Sequence, residues 1–464
     1  MPDELALVVD TPSPRALWVL DHVLRSTGYR ASIVDRAAAA DRPHLAYGGP
    51  GPAGPRGVWI VEAPAAIDWP ELLDGGLDPG SHGQRIEHDL VHAIGELLTD
   101  AVHATTEERD DHGRLPHAAS WSVTSGVGDR PVVDLYVRFI GAVIAAVARV
   151  EPAPHWPEGR DACVVLSHDV DEPDRYALVR HLRRPWRLRR APRTLVTEAL
   201  RLATRRPSDP DPGAYWVFPE LIELEARHGF RSTHFFAVTP FHDRGGSLED
   251  VAYDAGDGRY RRAMAELRTA GCGIGLHAGY RSHERPGRFS HERHVLEEAS
   301  GGEVLGLRHH YWHLGPDVPA TLRAHEAAGF RYDSSIAFND HVGFRRSAGL
   351  PYRPFDPVEA RPLATWQMPP FCMDGNLFYA SDNVEAAVAT VSSVVDEIAA
   401  VGGFGAIDWH IQASVPRSVE FHGWGVAYEE ILSMLAARPG MWVTSHEEVL
   451  GWLEDRSGHV GLAA

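Results

Sequence analysis

The chain has 464 residues, a net charge of −19, 44% hydrophobic and 23% charged residues, a soluble globular composition too long for one ordinary core. That charge argues against general affinity for nucleic acid or anionic lipid. The three scattered cysteines, Cys163, Cys272 and Cys372, exclude a disulfide framework or a CxxC metal module.

The first residues, Met1 to Asp10, lack the basic and apolar regions of a secretion signal and read as a strand. No apolar run reaches the ~20 residues of a membrane span. A cytoplasmic protein without a membrane span is therefore expected. All 45 basic residues are arginine, a usage that records genome composition rather than function.

Residues 1–155 alternate strand-like and helix-like segments, predicting a smaller α/β accessory domain. Leu5–Val9 and Ala31–Val34 are expected strands around a helix at about 14–27, and Val58–Val61 is another. The spacing of Leu90, Ile94, Leu97, Leu98 and Val102 predicts an amphipathic helix. A polar loop from Glu107 to Pro116 leads into Pro131–Asp134, which opens a second helix through about Val150. Asp111 and His112 in that loop read as polar loop or interdomain-contact residues.

Three prolines within Glu151–Pro157 mark a linker. From 156 to 464, strand signals at 163–167, 231–238, 273–277, 304–308, 331–336, 365–371, 404–410 and 441–444 alternate with helix signals such as Phe218–Arg227, Tyr260–Ala270 and Val384–Ala400. Seven or eight such units suit a parallel (β/α) barrel. One segment breaks the rhythm: residues 180–206 hold ten arginines, which suits either a solvated basic helix or a lid or anion-binding insertion.

The chemistry centres on residues 162–174. Cys163–Leu166 is a short apolar run that ends in Ser167-His168-Asp169-Val170-Asp171, with Pro173 stopping further pairing. Alternation puts Asp169 and Asp171 on one face and His168 on the other. Paired carboxylates at the mouth of a buried parallel strand suit chemistry better than packing.

Ser167-His168-Asp169-Val170-Asp171 resembles the first motif of the polysaccharide deacetylases, the NodB-type carbohydrate esterases of family 4. The likeness spans roughly residues 160–455. It implies a distorted (β/α) barrel in which Asp169 is the general base and Asp171 a metal ligand. Gly273-Ile274-Gly275-Leu276-His277 resembles the second motif, making His277 a metal ligand. Arg281 stands where that family carries a second histidine, so the third ligand is either His283, reached by a bent loop at Gly279, or His310. Gly306-Leu307-Arg308-His309-His310-Tyr311 resembles the third motif, where Arg308 orients the base and the Tyr311 backbone N–H faces an oxyanion. On a strand, positions 308 and 310 share a face ~7 Å apart, which favours His310. His309 and His313 are expected to face outward or to support the ligands.

Arg331-Tyr332-Asp333-Ser334-Ser335 resembles a stretch that lines the substrate side, so Asp333 is a substrate candidate or a turn cap. The loop Asn339–Arg345 is a further substrate contact. Asp374 follows another apolar strand and either holds a catalytic histidine or closes a turn. Phe404-Gly405-Ala406-Ile407-Asp408-Trp409-His410 resembles the fifth motif, in which His410 protonates the leaving amine. Trp409 and Trp424 are candidates for apolar walls or for core packing.

These residues together imply a metal-dependent amide hydrolase. Asp171, His277 and His310 hold a divalent ion, zinc by default for two histidines and a carboxylate. Asp169, Arg308 and His410 carry catalysis, while Tyr311, Asp333, Asp374 and Trp409 contact a small-molecule or carbohydrate substrate. The expected reaction is removal of N-acetyl groups from an amino sugar. Hydrolysis of an imide, ureide or other small amide is a rival, and so is an inactive carbohydrate-binding module.

Overall fold

Short aliphatic runs become the strands of two parallel sheets in the computed structural model. It describes residues 4–62, 84–173, 215–243, 246–285, 287–378, 383–417 and 421–463. The arginine-rich segment 180–206 lies outside the described residues. No helix among them is long and apolar enough to cross a membrane.

The first sheet contains β1 (Leu5–Val9), β2 (Arg30–Ile33), β3 (His44–Tyr47), β4 (Gly57–Ile60) and β5 (Arg85–Ile86). The expected strands and the helix Pro14–Thr27 are present, and β3 is one the sequence reading did not mark. That helix starts where Ser13 accepts a hydrogen bond from the Ala16 N–H, with Pro14 in its first turn. It stops at Gly28, whose φ of +86° and approach to the Ala153 carbonyl leave no room for a Cβ.

The second sheet is a distorted (β/α) barrel. Its strands are β6 (Ala162–Val170), β7 (Ser232–Phe236), β8 (Gly273–Ala278), β9 (Gly306–His309) and β10 (Tyr332–Asp333). A small hairpin, β11 (Phe355–Asp356) and β12 (Arg361–Pro362), sits apart. Then come β13 (Trp366–Gln367), β14 (Pro370–Met373), β15 (Phe404–Asp408) and β16 (Met441–Thr444). The parallel order runs β13-β10-β9-β8-β7-β6-β15-β14, with β16 also on β6. One stretch, 366–373, therefore pairs with β10 through β13 and with β15 through β14. It closes the ring, and Pro369, which has no N–H to give a ladder, falls where it changes partner.

Alternation along β6 is visible in its packing. Cys163 and Val165 join one apolar cluster. Ala162, Val164 and Leu166 join another, together with residues of the helices Val384–Val401 and His422–Ala436. Glycines make space inside the ring: a Cβ on Gly275 would fall 2.5 Å from the Phe235 ring, and one on Gly306 1.9 Å from that of Tyr332.

The two sheets share material. The apolar cluster that holds Leu7, Trp18 and Ile140 also holds Cys163, Phe404 and Tyr332 of the barrel. The proline-rich stretch after residue 150 is packed down, with Trp156 1% exposed and its Nε1–H donated to the Gly402 carbonyl. Beyond the helix His446–Ser457, β17 (Gly461–Leu462) returns to pair with β2, so the first sheet runs β17-β2-β1-β3-β4-β5.

Candidate active site

Parallel barrel strands direct functional groups to their C-terminal ends. Asp169 lies near the end of β6 and Asp171 just past it, His277 near the end of β8, Arg308 on β9, Asp374 after β14 and His410 after β15. These ends border a cavity of about 690 Å³, lined among others by Asp169, Asp171, His277, His310, Asp374 and His410.

Asp171, His277 and His310 converge, with one donor atom from each within 4.8 Å of the others. The His277 Nδ1–H donates to the Arg308 carbonyl at 3.1 Å. In the neutral ring this leaves an Nε2 lone pair aimed at Asp171 Oδ1, 3.2 Å away. Both atoms are buried and lack a hydrogen bond among the described residues. Two acceptors facing each other call for a cation between them, so the donor set fits a divalent ion. The His310 Nε2 lies 3.3 Å from Asp171 Oδ2, and its Nδ1 is 3.7 Å from Asp250 Oδ1. Asp250, which the sequence reading missed, is held by the backbone N–H groups of Tyr280 and Ser247.

His310 arrives by a different route from the expected one. β9 ends at His309, and His310 opens a tight turn in which Tyr311 and Trp312 have φ of +58° and +50°. Left-handed backbone is costly for bulky residues, so the turn is held from outside. Arg114 Nη1–H donates to the Tyr311 carbonyl at 2.6 Å, and the Asp110 carboxylate fixes that guanidinium. His283 does not join the cluster; its ring packs edge-on against His313.

Arg308 is fully buried and sits between two carboxylates. Its Nη1 is 3.0 Å from Asp169 Oδ1 and 2.8 Å from Asp408 Oδ1. Its Nη2 donates to Ser167 Oγ and Ser334 Oγ, and its Nε to the Ser334 carbonyl. Burial raises the Asp169 carboxyl, but His277, Arg308 and His410 outweigh it and hold the group below its ordinary value. Burial pushes Asp408 well above the usual range, and Arg308 does not offset this. Asp408 went unremarked in the sequence, although it stands two residues before His410 on a strand.

The Asp374 carboxylate accepts both the backbone N–H of His410 (2.9 Å) and its Nδ1–H (2.8 Å). This fixes the ring with Nε2 toward the site, 3.4 Å from Asp171 Oδ2. Burial lowers the His410 pKa, yet Asp374 and Asp171 carry it well above its ordinary value. Asp374 thus steadies the histidine, and it also lines the cavity.

Asp333 and Trp409, candidates for substrate contact, lie outside the cavity lining. Asp333 is fully buried and points out of the barrel, 3.0 Å from His325 Nδ1 and accepting from Gln367 Nε2; Ser334, next along the strand, faces inward to Arg308. Trp409 is also fully buried, its indole N–H given to the Ala413 carbonyl and its ring packed on Tyr428. Alternation explains both, because each neighbours an inward residue. Trp424 and Phe421, in contact at 5.0 Å, are aromatic residues that line the cavity, as does Tyr311. His168 and His309 face away from the cavity, toward Glu225 and His325. His112 makes a 2.8 Å hydrogen bond with the Tyr280 hydroxyl.

No family model matches the chain, and no curated protein matches it. Among solved structures, it is similar to a protein assigned as a polysaccharide deacetylase from Mycobacterium smegmatis, with 16% identity over 65% of this chain and 93% of that one and a TM-score of 0.44. A protein so assigned from Pseudomonas aeruginosa PAO1 shows 14% identity, coverage of 68% and 96%, and a TM-score of 0.42. The Puue allantoinase shows 14% identity, coverage of 67% and 95%, and a TM-score of 0.41. Likenesses of this size carry no argument about chemistry, which rests on the residues themselves.

Proposed function

We propose that this protein is a metal-dependent amide hydrolase that removes an N-acetyl group from an amino-sugar substrate. The observation that carries the reading is the placement of Asp169 and His410 beside the converging donors Asp171, His277 and His310. A base and an acid about one ion position supply the two proton transfers of amide hydrolysis.

Asp171, His277 and His310 would hold a divalent ion, zinc by default for this donor set, which would supply Lewis-acid chemistry for deprotonating water and polarising a carbonyl. Asp169 accepts the proton of the attacking water. Arg308 keeps Asp169 ionised and aimed. The Tyr311 amide, on the cavity wall, is the donor assigned to the developing oxyanion. His410 gives its Nε2 proton to the departing nitrogen as the C–N bond breaks, and Asp374 holds the ring in the required tautomer. Acetate and a free amine result.

The cavity supports a substrate class as well as a reaction. Glu172, Glu249, Asp254 and Asp257 line it alongside Arg259, a surplus of carboxylates that suits a neutral or cationic ligand better than a polyanion. Phe421 and Trp424 offer an apolar face for a sugar ring.

Incubation of the zinc-loaded protein with N-acetylglucosamine oligomers, followed by mass spectrometry, tests the reading. Loss of acetyl groups by the parent but not by Asp169→Asn is expected. Turnover of cyclic imides or ureides with none of the acetylated sugars would replace the sugar assignment, and an equally active Asp169→Asn protein would end the base assignment.

A further inference from the structure

A second convergence of metal-binding side chains shares no residue with the cluster just described. His117 opens a turn at residues 117–119, Asp129 precedes the helix Val132–Ala148, and His341 lies in the barrel loop that also carries Asn339 of the cavity wall. The Nε2 atoms of His117 and His341 are each 2.8 Å from a different oxygen of Asp129. The two rings stack with centroids 3.5 Å apart and planes 7° from parallel. One donor atom from each of the three residues lies within 4.8 Å of the others.

The surroundings fix these groups without enclosing them. The His117 backbone N–H donates to the Asp340 carboxylate, and Phe338 meets the His117 ring edge-on at 5.0 Å. The His341 carbonyl accepts from Asn376 Nδ2 at 2.6 Å. Side-chain exposures of 18%, 40% and 35% for His117, Asp129 and His341 leave an ion free to enter with a water as a further ligand. An ordinary ion pair would need one histidine. Here two histidines from distant parts of the chain present the same ring nitrogen to one carboxylate.

We infer that His117, Asp129 and His341 form a second divalent transition-metal site, one that fastens the N-terminal region to the barrel loop beside the cavity. Binding takes each neutral ring in its Nδ1–H tautomer, so that both Nε2 lone pairs and the Asp129 carboxylate face the ion and no ring proton is lost. The N···O separations of 2.8 Å open by about half an ångström to the spacing of a tetrahedral site with ligands at ~2.0–2.1 Å, and the stacked rings fan apart. Two imidazoles and a carboxylate select zinc, cobalt or nickel over calcium or magnesium. The site is independent of the reaction proposed above.

Zinc titration of the tag-free, metal-stripped full chain against a chromophoric chelator tests the inference, with folding followed by circular dichroism. The parent is expected to take up two equivalents. His341→Ala, and His117→Gln as a milder second variant, should each take up one, and His277→Ala should also retain one. Zinc should raise the melting temperature of His277→Ala protein but not of the His277→Ala/His341→Ala double variant. If His341→Ala and His117→Gln bind as many equivalents as the parent, there is no second site. If the parent takes up one equivalent that only His341→Ala abolishes, this site stands and the barrel-mouth metal assignment falls.

Discussion

The guanidinium of Arg114 holds the main-chain carbonyl of Tyr311 at 2.6 Å, and so a loop of the N-terminal region fixes the residue after a proposed metal ligand. The bond restrains a left-handed turn in which Tyr311 has φ of +58°. Arg114→Ala removes that restraint while leaving every proposed ligand in the chain. Because small displacements in a site are costly, kcat/KM should fall about tenfold or more and zinc should bind more weakly, with an unchanged circular dichroism spectrum. Parent-like zinc affinity and turnover in the variant would show that the turn holds itself.

The Asp169–Arg308–Asp408 arrangement separates two carboxylates that share one guanidinium. Asparagine mimics a protonated aspartate, so Asp408→Asn should keep turnover within about threefold of the parent. Asp169→Asn removes the proposed base and should lose about 10²–10⁴ in kcat, the range typical of general bases. Steady-state kinetics on both proteins compares them directly. Similar losses in the two would mean that the charge is shared and that Asp408 is ionised as well.

The third ligand yields a contrast in metal content. His310→Ala should lose most of the zinc in the barrel mouth, whereas His283→Ala, whose ring packs on His313 outside the cluster, should retain it. Elemental analysis after dialysis of both proteins in a His341→Ala background reads the barrel site alone. Zinc lost from the His283 variant and kept by the His310 variant would reverse the assignment.

Asp134 gives the chain a pH-dependent stability away from the cavity. Burial raises its pKa from the ordinary 3.8 to about 7, against the opposing hydrogen bonds from the Leu350 and Gly349 N–H groups. The folded value exceeds the unfolded one, so the contribution is full below about pH 4 and is lost as pH rises through about 7. The slope is at most about 1.4 kcal/mol per pH unit. Asp134→Asn should flatten this part of the profile, as urea unfolding from pH 4 to 8 would show. A variant profile parallel to that of the parent would mean that Asp134 is ionised in the folded protein.

What the sequence disclosed depended on how locally each feature is encoded. β6 and its two aspartates were legible because an apolar run and a period of two lie within nine residues. His310 was reached by strand alternation, but the strand stops one residue earlier and a left-handed turn presents the ring; no local pattern marks Tyr311 for that conformation. Asp333 and Trp409 each adjoin an inward residue, and a shift of one position on a strand inverts the face, so a resemblance in the stretch does not say which side either residue takes. Asp408, two residues before His410, carries the same period-two signal. The pairing of 366–373 with both β10 and β15, and the meeting of His117 with His341, depend on contacts between distant segments that no local window contains.

The placement of β17 has a consequence for how the protein is made. β2 is flanked by β1 on one side and by Gly461–Leu462 on the other. During synthesis its outer edge has no partner until residues 461–462 emerge, a wait on the order of tens of seconds at ~5–20 residues per second. An open strand edge is a template for pairing with other chains. The nascent N-terminal region is therefore most exposed to misassembly while the barrel is being translated, and the last short strand ends that exposure.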